Sequence, residues 1–138
     1  MFKKILVAYD ASDSSDNAFE YARLFGRKFG ATIDVISVVR RPLIGGDVEV
    51  TAEIDQGIRK CEQAIQRLRR RAHGDGAAIH FQTTVGQPAE QIIARADCVD
   101  ADLIVTGCRG ISPIERWLTG STVRQVMGRS RRPMLIVR

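Results

Sequence analysis

The feature that most constrains this chain is a regular alternation of short apolar runs with amphipathic stretches from one end to the other. Ile5-Leu6-Val7-Ala8 is an unbroken apolar run, the pattern of a strand buried on both faces of a parallel sheet. Asp10-Ala11-Ser12-Asp13-Ser14-Ser15-Asp16 follows, rich in the residue types that cap helix N-termini. Ala18, Ala22, Phe25 and Phe29 then recur at helical spacing and predict one buried face, with Gly30 placed to end the helix. Thr32 to Val39 is β-branched and strand-like. Arg40 to Val50, with Pro42, Gly45 and Gly46, predicts a loop. A long amphipathic helix is expected from Thr51, with Ile54, Ile58, Cys61, Ile65, Leu68 and Ala72 as its apolar stripe, ending at His73-Gly74-Asp75-Gly76. Ala77 to Val85 predicts a third strand. Gly86-Gln87-Pro88 predicts a turn into a helix carrying Ala89, Ile92, Ile93 and Ala96. Asp102 to Thr106 predicts a fourth strand. Gly120-Ser121 opens a fourth helix, with Val123, Val126 and Met127 expected inward, and Pro133 to Val137 completes the pattern as a fifth strand.

Strands alternating with helices imply parallel pairing through right-handed crossovers. The expected fold is α/β: a single domain over residues 1–138, built as an open five-stranded parallel sheet with helices on both faces. The length of 138 residues suits one domain. In such sheets ligands bind beyond the carboxyl ends of the strands, where the strand order switches direction. The residues to interrogate are therefore Asp10, Val38, Val39, Gly86 and the segment from Gly107 onward.

Composition narrows the partners. A hydrophobic fraction of 44% with 27% charged residues excludes a disordered chain and a disulfide miniprotein. No apolar run is long enough for a membrane span, and the N-terminus reads as a first strand, not a signal peptide. The net charge of +5 is carried mainly by 17 Arg against 4 Lys and favours anionic partners. Cys61, Cys98 and Cys108 lack any CxxC or zinc-like spacing, which fits a reducing, cytoplasmic setting.

The connection after the fourth strand is anomalous. Gly107 to Thr119 is 13 residues, where such connections run about 2–6. Gly107, Gly110 and Gly120 allow sharp turns or close approach to a ligand. Gly120-Ser121-Thr122 puts free amides, hydroxyls and a positive helix end together, an arrangement suited to anions, and Arg109 can add a bidentate phosphate contact. On these residues alone, loop geometry with a simple helix cap accounts for the pattern as well as phosphate binding does. Neither the GxxxxGK[ST] nor the GxGxxG phosphate motif is present.

Gly107-x2-Gly110-x9-Gly120-Ser121 resembles the GxxGx9G[ST] signature of the ATP-binding subgroup of the universal stress protein family. The surrounding loop, the tail Ser130 to Arg138, the strand Lys4 to Asp10 and the Gly86-Gln87-Pro88 turn are similar to that family's as well, so the resemblance covers essentially the whole chain. It implies a Rossmann-like sheet, akin to the adenine nucleotide alpha hydrolases, in the order 3-2-1-4-5. It implies that Gly107 and Gly110 pass close to ribose and phosphates, with Thr106 and Arg109 beside them. Gly120, Ser121 and Thr122, followed by Val123, would hold the terminal phosphates. Asp10 would meet ribose or a phosphate-bound metal, Ala8 and Tyr9 would line the nucleotide's edge, and the Val38 backbone would bond adenine. The implied ligands are ATP, ADP or AMP, with Mg²⁺ or Mn²⁺ held mainly through the phosphates. The implied assembly is a homodimer through Met134 to Val137, which also covers an apolar sheet edge. Two departures stand out: Cys108 where the family often has Ser, and a bulky Tyr9.

The expected role is an ATP-binding stress-response module that senses or relays nucleotide state. A slow ATPase or phosphotransferase is the enzymatic alternative; Glu115 is the only carboxylate in the loop, so no catalytic residue is assigned. A dimeric adaptor that binds no nucleotide is the third reading. Nucleic-acid binding through Arg67, Arg69, Arg70 and Arg71 lacks interleaved aromatics and is not expected. His73, His80 and Cys61 read as structural or solvated, and Trp117 and Leu118 as packing back onto the core.

Overall fold

The computed structural model describes residues 1–108 and 121–138. Five strands are seen among them: β1 (Lys4–Ala8), β2 (Thr32–Arg40), β3 (Ile79–Gly86), β4 (Leu103–Gly107) and β5 (Met134–Val137). They form one sheet in the order β3-β2-β1-β4-β5, and every pairing is parallel. The helices are α1 (Asp13–Phe29), α2 (Asp47–Arg71), α3 (Pro88–Val99) and α4 (Ser121–Arg129).

Period-two alternation divides the core into two layers. Ile5 and Val7 of β1, with Ile33 and Val35 of β2, pack against Ala18, Phe19 and Ala22 of α1 and Ala64 and Leu68 of α2. Leu6, Ile36 and Ile104 point the other way, against Ala89, Ile92 and Ala96 of α3 and Val126 of α4. Both faces of the central strands are thus apolar and covered, as the unbroken run in β1 predicts. One exception is Asp34, buried on the α3 side of β2. Arg95 reaches it from α3 with a two-pronged pair at 2.9 and 2.7 Å, so the carboxylate keeps charged hydrogen-bond partners.

The helix boundaries have local causes. Ser12 caps α1, its hydroxyl accepting from the Ser15 amide at 3.2 Å. Gly30 ends it in the left-handed region at φ +66°. Three expectations are corrected. Helix α2 starts at Asp47, not Thr51, because Gly46 adopts an extended N-cap geometry and its amide donates to the Glu49 carboxylate at 2.9 Å. The buried face of α1 is Ala18, Phe19, Ala22 and Gly26, whereas Phe29 is 43% exposed. In α4, Val126 is buried and Val123 half-buried, but Met127 is 55% exposed, lying off the narrow arc that touches the sheet.

Helices α1 and α2 are also tied by charge. Asp75, just past α2, accepts from Arg23 and Arg27 of α1. The hydrogen bond from Arg23, then that from Arg27, holds its carboxyl below the usual range. No described helix is long and apolar enough to cross a membrane.

Candidate functional site

Because β2 and β4 flank β1 and the chain leaves them in opposite directions, the strand order switches at β1, and a crevice opens beyond the carboxyl ends. The structure has such a cleft, about 650 Å³ of empty space counting the open solvent at its mouth. Ala8, Tyr9 and Asp10 form its floor. Ile36, Val38 and Arg40 of β2, with Pro88 and Ile92 of α3, line one end. Thr106 and Gly107 of β4, Ser15 of α1, and Thr122 and Val123 of α4 line the other. One end is apolar and the other rich in hydroxyls and backbone.

The polar end is built by close approach. Gly107 is the last residue of β4, and a Cβ there would lie 2.5 Å from Ser14 Oγ and 2.6 Å from both the Ser14 carbonyl carbon and the Ser15 nitrogen. Only a glycine lets the start of α1 sit this tightly against the end of β4. At the same end of the cleft the first turn of α4 enters it. No acidic side chain occupies that turn, so nothing on it offsets the positive end of the helix. Asp10 precedes the start of α1 and lines the cleft together with the first turn of α4. Its carboxylate accepts from the Ser12 amide at 3.0 Å and from the Ser12 hydroxyl. The intervening Ala11 has φ +65°, a conformation that costs a non-glycine residue about 1 kcal/mol or more. That strain lies beside the cleft, where the structure around it fixes the turn.

Tyr9 shows how a bulky residue fits beside a ligand cleft. Its amide donates to Ile36 O at 2.9 Å, and its carbonyl accepts from Ser37 Oγ at 3.0 Å. These bonds hold its backbone in the sheet at the floor. The ring belongs to the α1–α2 layer, and its hydroxyl donates to Asp16 Oδ1 at 2.6 Å. Burial, then the bond to Asp16 and that carboxylate's charge, pushes the phenol well above its ordinary value of 10. The unfolded chain therefore releases this proton more readily than the folded one. The resulting contribution to stability is complete below about pH 10 and is lost as the pH rises beyond it. In Tyr9→Phe, urea melts should show a loss of about 1 kcal/mol at neutral pH. They should also show a shallower fall in stability between pH 9.5 and 11 than the wild type. Parallel pH profiles for the two proteins would contradict this assignment.

Eight residues singled out from the sequence therefore meet in one cleft: Ala8, Tyr9, Asp10, Val38, Thr106, Gly107, Thr122 and Val123. They come from four separated segments of the chain. Ser121 opens α4. Arg109, Gly110 and Gly120, with Glu115, Trp117 and Leu118, lie outside the described residues. Sequence reasoning missed Ser15, Ile36, Arg40, Pro88 and Ile92. Strand alternation held a signal for two of them, since Ile36 and Arg40 sit two residues either side of Val38. Among the described residues no group of three His, Cys, Asp or Glu could hold a metal ion. Asp10 is the only carboxylate among the described lining residues, so a divalent cation here would need oxygen ligands beyond it.

Fold and cleft define an open α/β domain with a cleft at the switch point of the sheet. The model of the universal stress protein family matches residues 1–138, and the chain belongs to that family. It is 33% identical to the universal stress protein MJ0531 of Methanocaldococcus jannaschii, over 100% of this chain and 83% of that protein. Among solved structures, the universal stress protein UspA from Lactobacillus plantarum superposes with a TM-score of 0.88 at 22% identity, covering 99% of this chain and 98% of that one, a likeness of fold. A universal stress protein solved in complex with cAMP superposes with a TM-score of 0.78 at 28% identity, covering 99% of this chain and 97% of that one.

Proposed function

We propose that the cleft binds an adenine nucleotide, ATP or ADP foremost, and that the protein acts as a stress-response module relaying nucleotide state. The observation that carries this reading is the meeting of eight expected residues in one cleft with an apolar end and a polar, amide-rich end. The base lies at the apolar end, between Ile36 and Val38 on the sheet and Pro88 and Ile92 on α3. The ribose lies over Ala8 and Asp10. The phosphates lie at Gly107 and the first turn of α4, at Ser121, Thr122 and Val123; the family resemblance adds Arg109, Gly110 and Gly120 to this set. Mg²⁺ or Mn²⁺, held mainly through the phosphates, would offset their charge, and Asp10 is the cleft carboxylate that would join it. The cAMP complex of a relative that is 28% identical supports an adenine ligand in this family.

The same reading has β5 of two chains pairing in a homodimer. It is an edge strand with Ile136 40% exposed, the kind of edge that proteins cover.

Calorimetric titration with ADP, ATP and AMP in the presence of Mg²⁺ tests the binding reading. Saturable binding is expected, and nucleotide at a hundredfold excess over Kd should stabilise the fold by about 2.7 kcal/mol. Asp10→Asn should weaken ATP binding with Mg²⁺ more than AMP binding without it. No heat and no thermal shift at millimolar nucleotide would leave the adaptor reading in its place.

A further inference from the structure

Among the described cleft residues, Arg40 is the one with ionic chemistry that the nucleotide reading does not use. It is the last residue of β2 and shares a face with Ile36 and Val38, four and two residues before it, all three lining the cleft. Its partner in the β2–β3 register is Gly86, so no side chain from β3 stands beside it at this level. The space next to Gly86 is taken by Gln91, whose amide nitrogen would lie 2.8 Å from a Cβ there. That amide group is engaged through its oxygen, which accepts from the Thr84 hydroxyl at 3.2 Å. No ion pair or hydrogen bond of Arg40 is found among the described residues, and Arg40 is exposed at the mouth.

The sheet order sets which part of a nucleotide Arg40 meets. Gly107 and α4 stand at the β4 end, and Arg40 at the β2 end, with β1 between them. Strands lie about 4.8 Å apart, so the two ends are separated by about 10 Å before the outward reach of α4 is added. A phosphate seated on α4 therefore leaves the base, not a phosphate, in front of Arg40. A guanidinium is planar and offers donors only, in a fork. Guanine presents two adjacent acceptors, O6 and N7, that match such a fork. Adenine presents N7 beside an amino donor, which does not.

Resting on the nucleotide reading above, we propose that Arg40 is a specificity-determining residue that reads the purine edge and opens the cleft to guanine nucleotides: its guanidinium donates to O6 and N7 of a base seated over Ile36 and Val38.

ADP and GDP carry identical ribose diphosphates, so their comparison isolates the base end. With Mg²⁺ present, calorimetry on the wild type should show saturable binding of both. Arg40→Met keeps the length of the side chain and removes the fork. It should lower GDP affinity about tenfold or more and change ADP affinity less than threefold. Arg40→Lys keeps the charge without the fork and should lose GDP affinity as the Met variant does. Because the side chain is exposed, all three proteins should share one thermal midpoint without ligand. Equal losses for ADP and GDP in Arg40→Met would assign the charge to the phosphates and overturn the proposal. So would unaltered GDP binding in that variant, or a wild type that binds ADP but not GDP. A wild type that binds neither nucleotide overturns the nucleotide reading itself, and this assignment with it.

Discussion

Gly107→Ala is expected to destabilise the protein by about 2–3 kcal/mol and to abolish nucleotide binding at concentrations that saturate the wild type. The cost is steric. A methyl group at this position would meet Ser14 Oγ at 2.5 Å, and the Ser14 carbonyl carbon and Ser15 nitrogen at 2.6 Å. Two of those three atoms are backbone, so no rotamer change relieves the overlap. Either β4 or the first turn of α1 must move, and both line the cleft. Well-packed interiors yield little to such insertions. Gly128 is the matched control. It lies inside α4 with nothing within 4 Å of its added Cβ, so Gly128→Ala should leave the fold unchanged or raise its stability by about 0.5–1 kcal/mol. Urea melts of the two variants beside the wild type make the comparison. Equal tolerance of both would show that the β4–α1 contact is not tight.

Phe19→Ala should have the largest effect on stability alone, a loss of about 3–5 kcal/mol. Phe19 is completely buried. Its ring lies 6.2 Å from that of Phe81 on β3, and the Arg23 guanidinium lies 5.8 Å from it. Truncation opens a cavity beneath α1 and removes both contacts. Phe29→Ala, at the exposed end of the same helix, should cost about 0.5–1.5 kcal/mol. The aromatic rings it meets there are those of Phe2 and Phe25. Similar losses for the two variants would show that the aromatic end of α1, not its centre, anchors the helix.

That pair also shows why part of the fold was legible in the sequence and part was not. Element type and order follow from alternation, because a strand buried on both faces must be apolar throughout and a covering helix must carry a stripe. The depth of a given residue on α1 does not follow. This helix packs on the sheet beside α2, and its buried arc is wide enough to hold Ala18 and Phe19 side by side. A rule that spaces large residues three or four apart selects Phe25 and Phe29 and passes over Gly26. Yet Gly26 sits where a Cβ would be 2.8 Å from Ile33 Cδ1, so the closest approach of α1 to β2 is marked by a residue with no side chain.

The site was legible for a similar reason and to a similar degree. Strand ends are easy to find, and a cleft at the switch point is a property of the topology. Asp10, Val38, Thr106 and Gly107 all lie within two residues of a strand's carboxyl end. Arg40 was not legible, because Pro42, Gly45 and Gly46 mark the segment after Val39 as a loop. Pairing with Gly86 is what extends β2 to Arg40, and a partner 46 positions away leaves no local signature. The Asp34–Arg95 pair is hidden in the same way: the two residues lie 61 apart in sequence.

Amide chemical-shift mapping during titration with ADP and Mg²⁺ tests the central claim most directly. The account predicts saturable shifts at Ala8, Asp10, Val38, Gly107, Thr122 and Val123, on both sides of β1. It predicts none at Lys4, His80 and Arg95 at the opposite ends of the strands. An absence of shifts at millimolar ADP, or shifts confined to the far ends of the strands, would contradict it.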